Sequence, residues 1–114
     1  MTTVADYIQV ETTTDSREEA STLSTSVVRA RLVACAQIMG PITSTYWWED
    51  QVEQDDEWLV LMKTTADCLD ALTAHLNEHH SYDVPEVVAV PITGGSRGYL
   101  SWVTDETRGA AQGS

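Results

Sequence analysis

The stretch from Ala34 to Thr65, ACAQIMGPITSTYWWEDQVEQDDEWLVLMKTT, constrains this chain more than any other. It reads as two long β-strands joined by a tight polar turn. The first is expected from about Cys35 to Glu49, kinked at Gly40-Pro41. Asp50 and Gln51 are expected at the turn, and the second strand from about Val52 to Lys63. β-Branched and aromatic side chains fill the pair, as strands prefer. From Ile42 outward, the two-residue period puts Ile42, Ser44, Tyr46 and Trp48 on one face and Thr43, Thr45, Trp47 and Glu49 on the other. Both strands far exceed the usual roughly five or six residues, and large rings stand on both faces. A domain of 114 residues has one sheet and too little helix to reach the far end of such a hairpin. A bare ribbon carrying Tyr46, Trp47, Trp48 and Trp58 invites edge-to-edge aggregation. The expected cover is a second copy of the chain, so the hairpin predicts a homo-oligomer.

The segments around the hairpin supply the rest of one sheet. Val4 to Glu11 reads as a first strand and Thr12 to Ser16 as a polar loop. Asp15 with Glu18 has the spacing of a capping box. The helix that follows is expected to run to about Arg31, with Ala20, Leu23, Val27 and Val28 as its apolar stripe. After the hairpin, Thr64 and Asp67 repeat the capping pattern. A second helix then turns Leu69, Leu72 and Leu76 inward and ends near His79-His80. Ser81 to Val84 is a loop, because Pro85 disfavours helix at the residue before it. Glu86 to Ile92 is too short and too apolar for anything but a strand, and its near-continuous apolarity predicts cover on both sides. Thr93 to Gly98 is a turn. Tyr99, Trp102 and Val103 share a face of a short terminal helix, and Gly109 to Ser114 reads as a frayed tail. The order βαββαβ is the split arrangement of a ferredoxin-like α+β fold. It has an antiparallel sheet with two helices on one face, here in a single domain over residues 1–114 with its core at about 4–105.

Charge narrows the partners. The chain carries 18 acidic and 6 basic residues, a formal net charge of -12. Phosphate binding needs clustered Lys and Arg, so neither nucleic acid nor an anionic membrane surface is an expected partner, and cations are the natural small ones. No apolar run approaches the roughly 18–20 residues of a membrane span. The N-terminus lacks a basic region followed by an apolar core, so a cytoplasmic location is expected. Cys35 and Cys68 sit among small or apolar neighbours and read as buried, inert thiols.

Few residues suggest chemistry. His75 and His79 are spaced i, i+4 on the second helix, a usable ligand spacing. His79 and His80 also fall at the helix C-terminus, where the dipole favours a protonated ring. Neutral imidazoles beside carboxylates would suit copper or zinc better than calcium. Glu49, Asp50, Glu53, Asp55, Asp56 and Glu57 crowd the hairpin without the spacing or central glycine of a calcium loop, which makes them a solvated tip. Lys63 either pairs with a carboxylate or meets an anionic ligand in a cleft between subunits. Thr93 to Gly98 lacks the lysine of a phosphate loop. Nothing resembles a nucleophile elbow, a redox CxxC or a paired-cysteine zinc site, so no enzymatic activity is expected.

Five motifs in register add a family. Ala34-Cys35-Ala36, Tyr46-Trp47-Trp48-Glu49, Glu57 with Lys63-Thr64, His80-Ser81-Tyr82 with Pro85-Glu86, and Tyr99-Leu100-Ser101-Trp102 closely resemble the CutA family of divalent-cation tolerance proteins over about residues 4–105. The resemblance implies a ferredoxin-like subunit, a tight homotrimer whose hairpins extend sheets between subunits, and a non-enzymatic role in tolerance of copper and other divalent metals. It implies no obligatory cofactor, with Cu2+ or another divalent cation as the ion bound. Its ligands correspond to His80, to His79, and to a cysteine position occupied here by Glu11. The alternative is a trimer like the PII signalling proteins, holding a small ligand or partner in clefts between subunits. Trp48, Glu57, Lys63, Tyr82, Glu86 and Trp102 would line those clefts. Three departures stand out. Glu11 replaces a soft thiolate, Asp50 replaces the turn glycine, and Ser81 replaces the proline of the family's HPY, which is expected to loosen the loop beside His80.

Overall fold

A computed structural model of the chain describes residues 6–108. Four strands form one antiparallel sheet in the order β2-β3-β1-β4. These are β1 (Tyr7–Thr14), β2 (Cys35–Trp48), β3 (Gln51–Thr65) and β4 (Val88–Pro91). Helices α1 (Arg17–Arg29) and α2 (Leu69–His79) cover one face, and α3 (Arg97–Glu106) follows β4. The ferredoxin-like α+β architecture is the one expected. The proposed tail at 109–114 and the proposed strand start at Val4 lie outside the described residues.

The boundaries differ in ways that have physical causes. β1 continues past Glu11 to Thr14, and the expected polar loop at Thr12 to Thr14 is buried strand. Threonine is β-branched and suits a pleated surface, and the Thr14 hydroxyl is satisfied by donating to the Ser16 carbonyl at 2.7 Å. The cap of α1 is therefore Ser16, whose Oγ accepts from the Glu19 amide at 3.1 Å, and not Asp15. Glu18 and Glu19 in the first turn and Arg29 in the last complement the helix dipole. Ala20, Leu23 and Val27 are buried while Val28 is exposed, so the stripe is narrower than expected. The second capping pair is not formed. Thr65 begins a short 3-10 turn at Ala66–Cys68 and its hydroxyl donates to Asp67 and caps no amide, and α2 follows with Cys68 at its N-cap. Leu72 and Leu76 of α2 meet Ile8, Val10, Val60 and Met62 of the sheet, with Leu69 at the rim.

The hairpin turns one residue earlier than expected. Glu49 and Asp50 both have positive φ, 48° and 63°, and Gln51 already pairs with Trp48 in the ladder. Two positive-φ residues in a two-residue loop match the right-handed twist of the strands they join. The expected kink is present. Gly40-Pro41 is a cis peptide, and the register shifts there so that Met39 faces Leu59 while Ile42 faces Glu57. The bulge reverses the parity of β2. Ala36 and Ile38 pack toward the helices before it, whereas Thr43, Thr45 and Trp47 lie on that side after it. A Cβ on Gly40 would stand 2.6 Å from Trp58 Cδ1, so only glycine allows the strand this close to the indole. Trp47 is 74% and Trp48 60% exposed, on opposite faces of the ribbon.

Among the described residues the second sheet face is only partly covered, with Thr13 buried, Leu59 and Leu61 half-buried, and Val88 and Val90 exposed. It carries Tyr7, Gln9, Glu11 and Thr13 of β1, Leu59, Leu61 and Lys63 of β3, and Val88 and Val90 of β4. α3 closes only one end of it. Val103 is buried there and the Tyr7 hydroxyl bonds Thr104 Oγ1 at 2.6 Å. β4 is an edge strand, and in the single chain one of its faces is open. Val88 and Val90 are exposed, and Pro91 is tolerated because an edge needs fewer amide donors. Cys68 is buried, but Cys35 is only half-buried, against the expectation for both, and its Sγ lies 3.4 Å from the Tyr99 hydroxyl. Among the described residues no helix is long and apolar enough to cross a membrane.

Candidate metal and ligand site

The end of the sheet where β1 meets the segment after α2 holds most of the candidate residues. His80 caps α2, and its side chain is wholly buried. Nε2 donates to the Thr13 carbonyl at 2.7 Å and Nδ1 accepts from the Tyr82 amide at 3.0 Å. Glu19 Oε2 stands 3.5 Å from Nδ1, and the Tyr82 ring packs 4.7 Å away between centroids. Both ring nitrogens are therefore engaged inside the subunit. Ser81, expected to loosen this loop, ties it down instead. Its amide and hydroxyl each donate to the Glu19 carboxylate at 2.8 Å. A proline could make neither bond.

Tyr82 carries the chain back to the sheet. Its hydroxyl donates to Glu57 Oε2 at 2.7 Å, and burial together with that carboxylate holds the phenol well above its ordinary range. Glu86 comes beside Glu11, since it precedes Val88, the register partner of Glu11. Desolvation, then a hydrogen bond to Glu11 and the charges of Glu11 and Glu57, push the Glu86 carboxyl up. Glu11, Glu57, Glu86 and Tyr82 thus gather on the helix-free side of the sheet. Their donors are oxygens, which suit a hard or borderline cation better than a soft one, but among the described residues the three carboxylates do not converge as a metal-holding set.

The other candidates lie elsewhere. His79 is exposed and its Nδ1 bonds the His75 carbonyl at 2.8 Å. His75 meets the Ser26 hydroxyl of α1 through Nε2, and partial burial and then its neighbour His79 hold that ring below its ordinary range. Lys63 donates to Gln37 Oε1 at 2.8 Å and is six residues along β3 from Glu57, roughly 20 Å. Trp102 packs on Tyr99 of α3, 5.5 Å between centroids, and Trp48 stands beside the hairpin turn. One chain therefore does not bring His79, His80 and Glu11 to a common point. Among the described residues no group of three or more His, Cys, Asp or Glu side chains is placed to hold a metal ion. Sequence reasoning missed the Glu19–Ser81 clamp and the Ser26–His75 contact. Glu19 has capping-box spacing from Ser16, but its carboxylate turns to Ser81, 62 residues away.

These features define a ferredoxin-like α+β subunit with a projecting hairpin, a half-open sheet and an acidic group at one end of that open face. The chain belongs to the CutA1 divalent ion tolerance protein family, whose model matches residues 8–106. It is 46% identical over 101 residues to the chloroplastic protein CutA of Arabidopsis thaliana, covering 89% of this chain and 56% of that one. It is 41% identical over 95 residues to the divalent-cation tolerance protein CutA of Thermus thermophilus, covering 83% and 92%. The chain spans 56% and 60% of the Arabidopsis and rice plant relatives it matches. The crystal structure of CutA1 from Oryza sativa superposes with a TM-score of 0.89 at 43% identity, covering 94% of this chain and 98% of that one.

Proposed function

We propose that this chain acts in divalent-cation tolerance as a homotrimeric binding protein without enzymatic activity, with copper(II) or another divalent cation as the ion handled. The observation that carries the assembly is the helix-free sheet face. Half-buried Leu59 and Leu61 and exposed Val88 and Val90 line a face that, among the described residues, α3 closes only at one end, next to a ribbon with two exposed indoles. Sister subunits bury both at once. Support for the cargo comes from the family and from the Thermus relative's name. On the chain itself, Glu11 with Glu57 and Glu86 offers carboxylate oxygen, and His79 offers an exposed imidazole. His80 completes the set only by giving up Thr13 or Tyr82, so its larger part is to hold the loop that aims Tyr82 at Glu57. The ligand-sensing alternative has less support, since its one charge pair, Glu57 and Lys63, is split along β3.

Two measurements test this reading. Sedimentation at micromolar protein is expected to give three times the subunit mass, and a monomer there would overturn the assembly. A host strain lacking the gene is expected to lose growth in copper(II), and the wild-type chain to restore it more fully than Glu11→Gln. Equal growth with and without the gene would remove the tolerance role.

A further inference from the structure

Beyond the bulge, the hairpin carries a surface that the tolerance reading does not use. There Trp47 stands opposite Val52, Thr45 opposite Gln54 and Thr43 opposite Asp56. These side chains share the sheet face that the helices cover nearer the base of the hairpin, and all of them are exposed. Gln54 Nε2 donates to Thr45 Oγ1 at 3.0 Å, which ties the two strands together across the middle of this face. The opposite face is different. Ile42 and Ser44 are half-buried there, and the Tyr46 hydroxyl donates to Asp55. Sister subunits seated on the helix-free face lie on the Trp48 side of the ribbon and leave Trp47 and Val52 outward, a step that rests on the trimeric reading.

Charge decides what can cover the outward face. From Cys35 to Met62 the chain has six carboxylates and no Lys, Arg or His. A further copy of the chain would bring a net charge of -12 to it, and like charges at a contact oppose docking. The same field repels nucleic acid and anionic membrane. A cationic side chain is attracted instead, and indole is the best aromatic face for Lys or Arg. Tryptophan is also enriched among the residues that dominate binding energy at protein interfaces. Asp56 lies four residues along β3 from Val52, about 13 Å. An extended segment covers that distance between its first and fifth residues.

We propose that the outward face of the hairpin docks an extended, Arg- or Lys-bearing segment of another protein. One cation lies over Trp47 with its aliphatic stem on Val52, and a second, four residues on, pairs with Asp56. Glu49 and Asp50 at the turn add attraction that salt screens.

Fluorescence anisotropy with a labelled peptide of alternating Arg and Val tests this, beside the same peptide with Glu for Arg. The full chain is expected to bind the first saturably and not the second. Trp47→Ala leaves the charge of the hairpin unchanged and is expected to weaken binding at least about tenfold, with sedimentation mass and circular dichroism unchanged. Asp56→Asn is expected to weaken it about two- to fivefold. Binding by Trp47→Ala within about twofold of the unmutated chain would show that diffuse negative charge holds the peptide, and would overturn the docking face. So would the absence of saturable binding to the unmutated chain. A lower sedimentation mass for Trp47→Ala would also overturn it, by placing the indole in the contact between sister subunits. An unmutated chain that is monomeric and still binds the peptide through Trp47 would remove the trimer and not the docking face.

Discussion

Replacing His80 by phenylalanine separates a ligand from a structural residue. The ring is wholly buried, and both nitrogens bond backbone groups, Thr13 O at 2.7 Å and Tyr82 N at 3.0 Å. Phenylalanine keeps the ring and its packing on Tyr82 but makes neither bond. A buried polar group left without its partner costs about 1–3 kcal/mol. Two such groups, partly relieved by local movement, amount to about 2–4 kcal/mol per subunit. Urea unfolding followed by far-ultraviolet circular dichroism reads this directly. With a slope of about 1–3 kcal/mol/M, the midpoint is expected to fall by at least about 0.7 M. Protomer concentration must be held constant, because association stabilises the folded chain. His79→Ala is the comparison. That residue is exposed, and its loss is expected to change stability by no more than about 0.5 kcal/mol. A His80→Phe midpoint matching that of His79→Ala would refute the structural role and return His80 to the ligands.

Other perturbations follow from single contacts. Gly40→Ala places a Cβ 2.6 Å from Trp58 Cδ1 and 3.1 Å from the Glu57 carbonyl, so the same unfolding assay is expected to show a loss of about 1–3 kcal/mol. Asp50→Gly removes a side chain from a residue at φ 63°, and a gain of about 0.5–1 kcal/mol is expected. Glu86 titrates above its ordinary value in the fold, so the native chain binds more protons than the unfolded one between those two values. Stability from this group is therefore complete below the unfolded value and falls as pH rises through the folded one. Glu86→Gln is expected to flatten that slope and to be the more stable form at neutral pH, as unfolding measured across pH in metal-free buffer would show.

Local chemistry made much of the fold legible in the chain. Alternating β-branched and aromatic residues wrote the hairpin, Gly40-Pro41 marked its bulge, and the spacing of Leu72 and Leu76 wrote the buried side of α2. These signals have periods of two to about four residues, so they survive without knowledge of the partner surface. The same periodicity could not say which face of the hairpin would stay bare, because the bulge reverses parity. Nor could it tell that Thr12 to Thr14 is buried strand, since three threonines are polar by composition and strand-like by shape. Capping signals misled by one residue at α1, because Asp15 and Ser16 are equally good oxygens until the strand end is fixed, and at α2 the Thr64–Asp67 spacing gave way to a 3-10 turn that leaves Cys68 at the N-cap.

The site depended on distances that no local pattern encodes. His80 reaches Thr13 across 67 residues, Tyr82 reaches Glu57 across 25, and Ser81 reaches Glu19 across 62. Residue order supplied the donors and acceptors and the strand and helix that bear them. Strand register and the docking of α1 beside α2 chose the pairs, because a hydrogen bond needs about 3 Å and only packing brings remote atoms that close. His80 therefore looks like an available ligand in the chain and is a satisfied buried group in the fold.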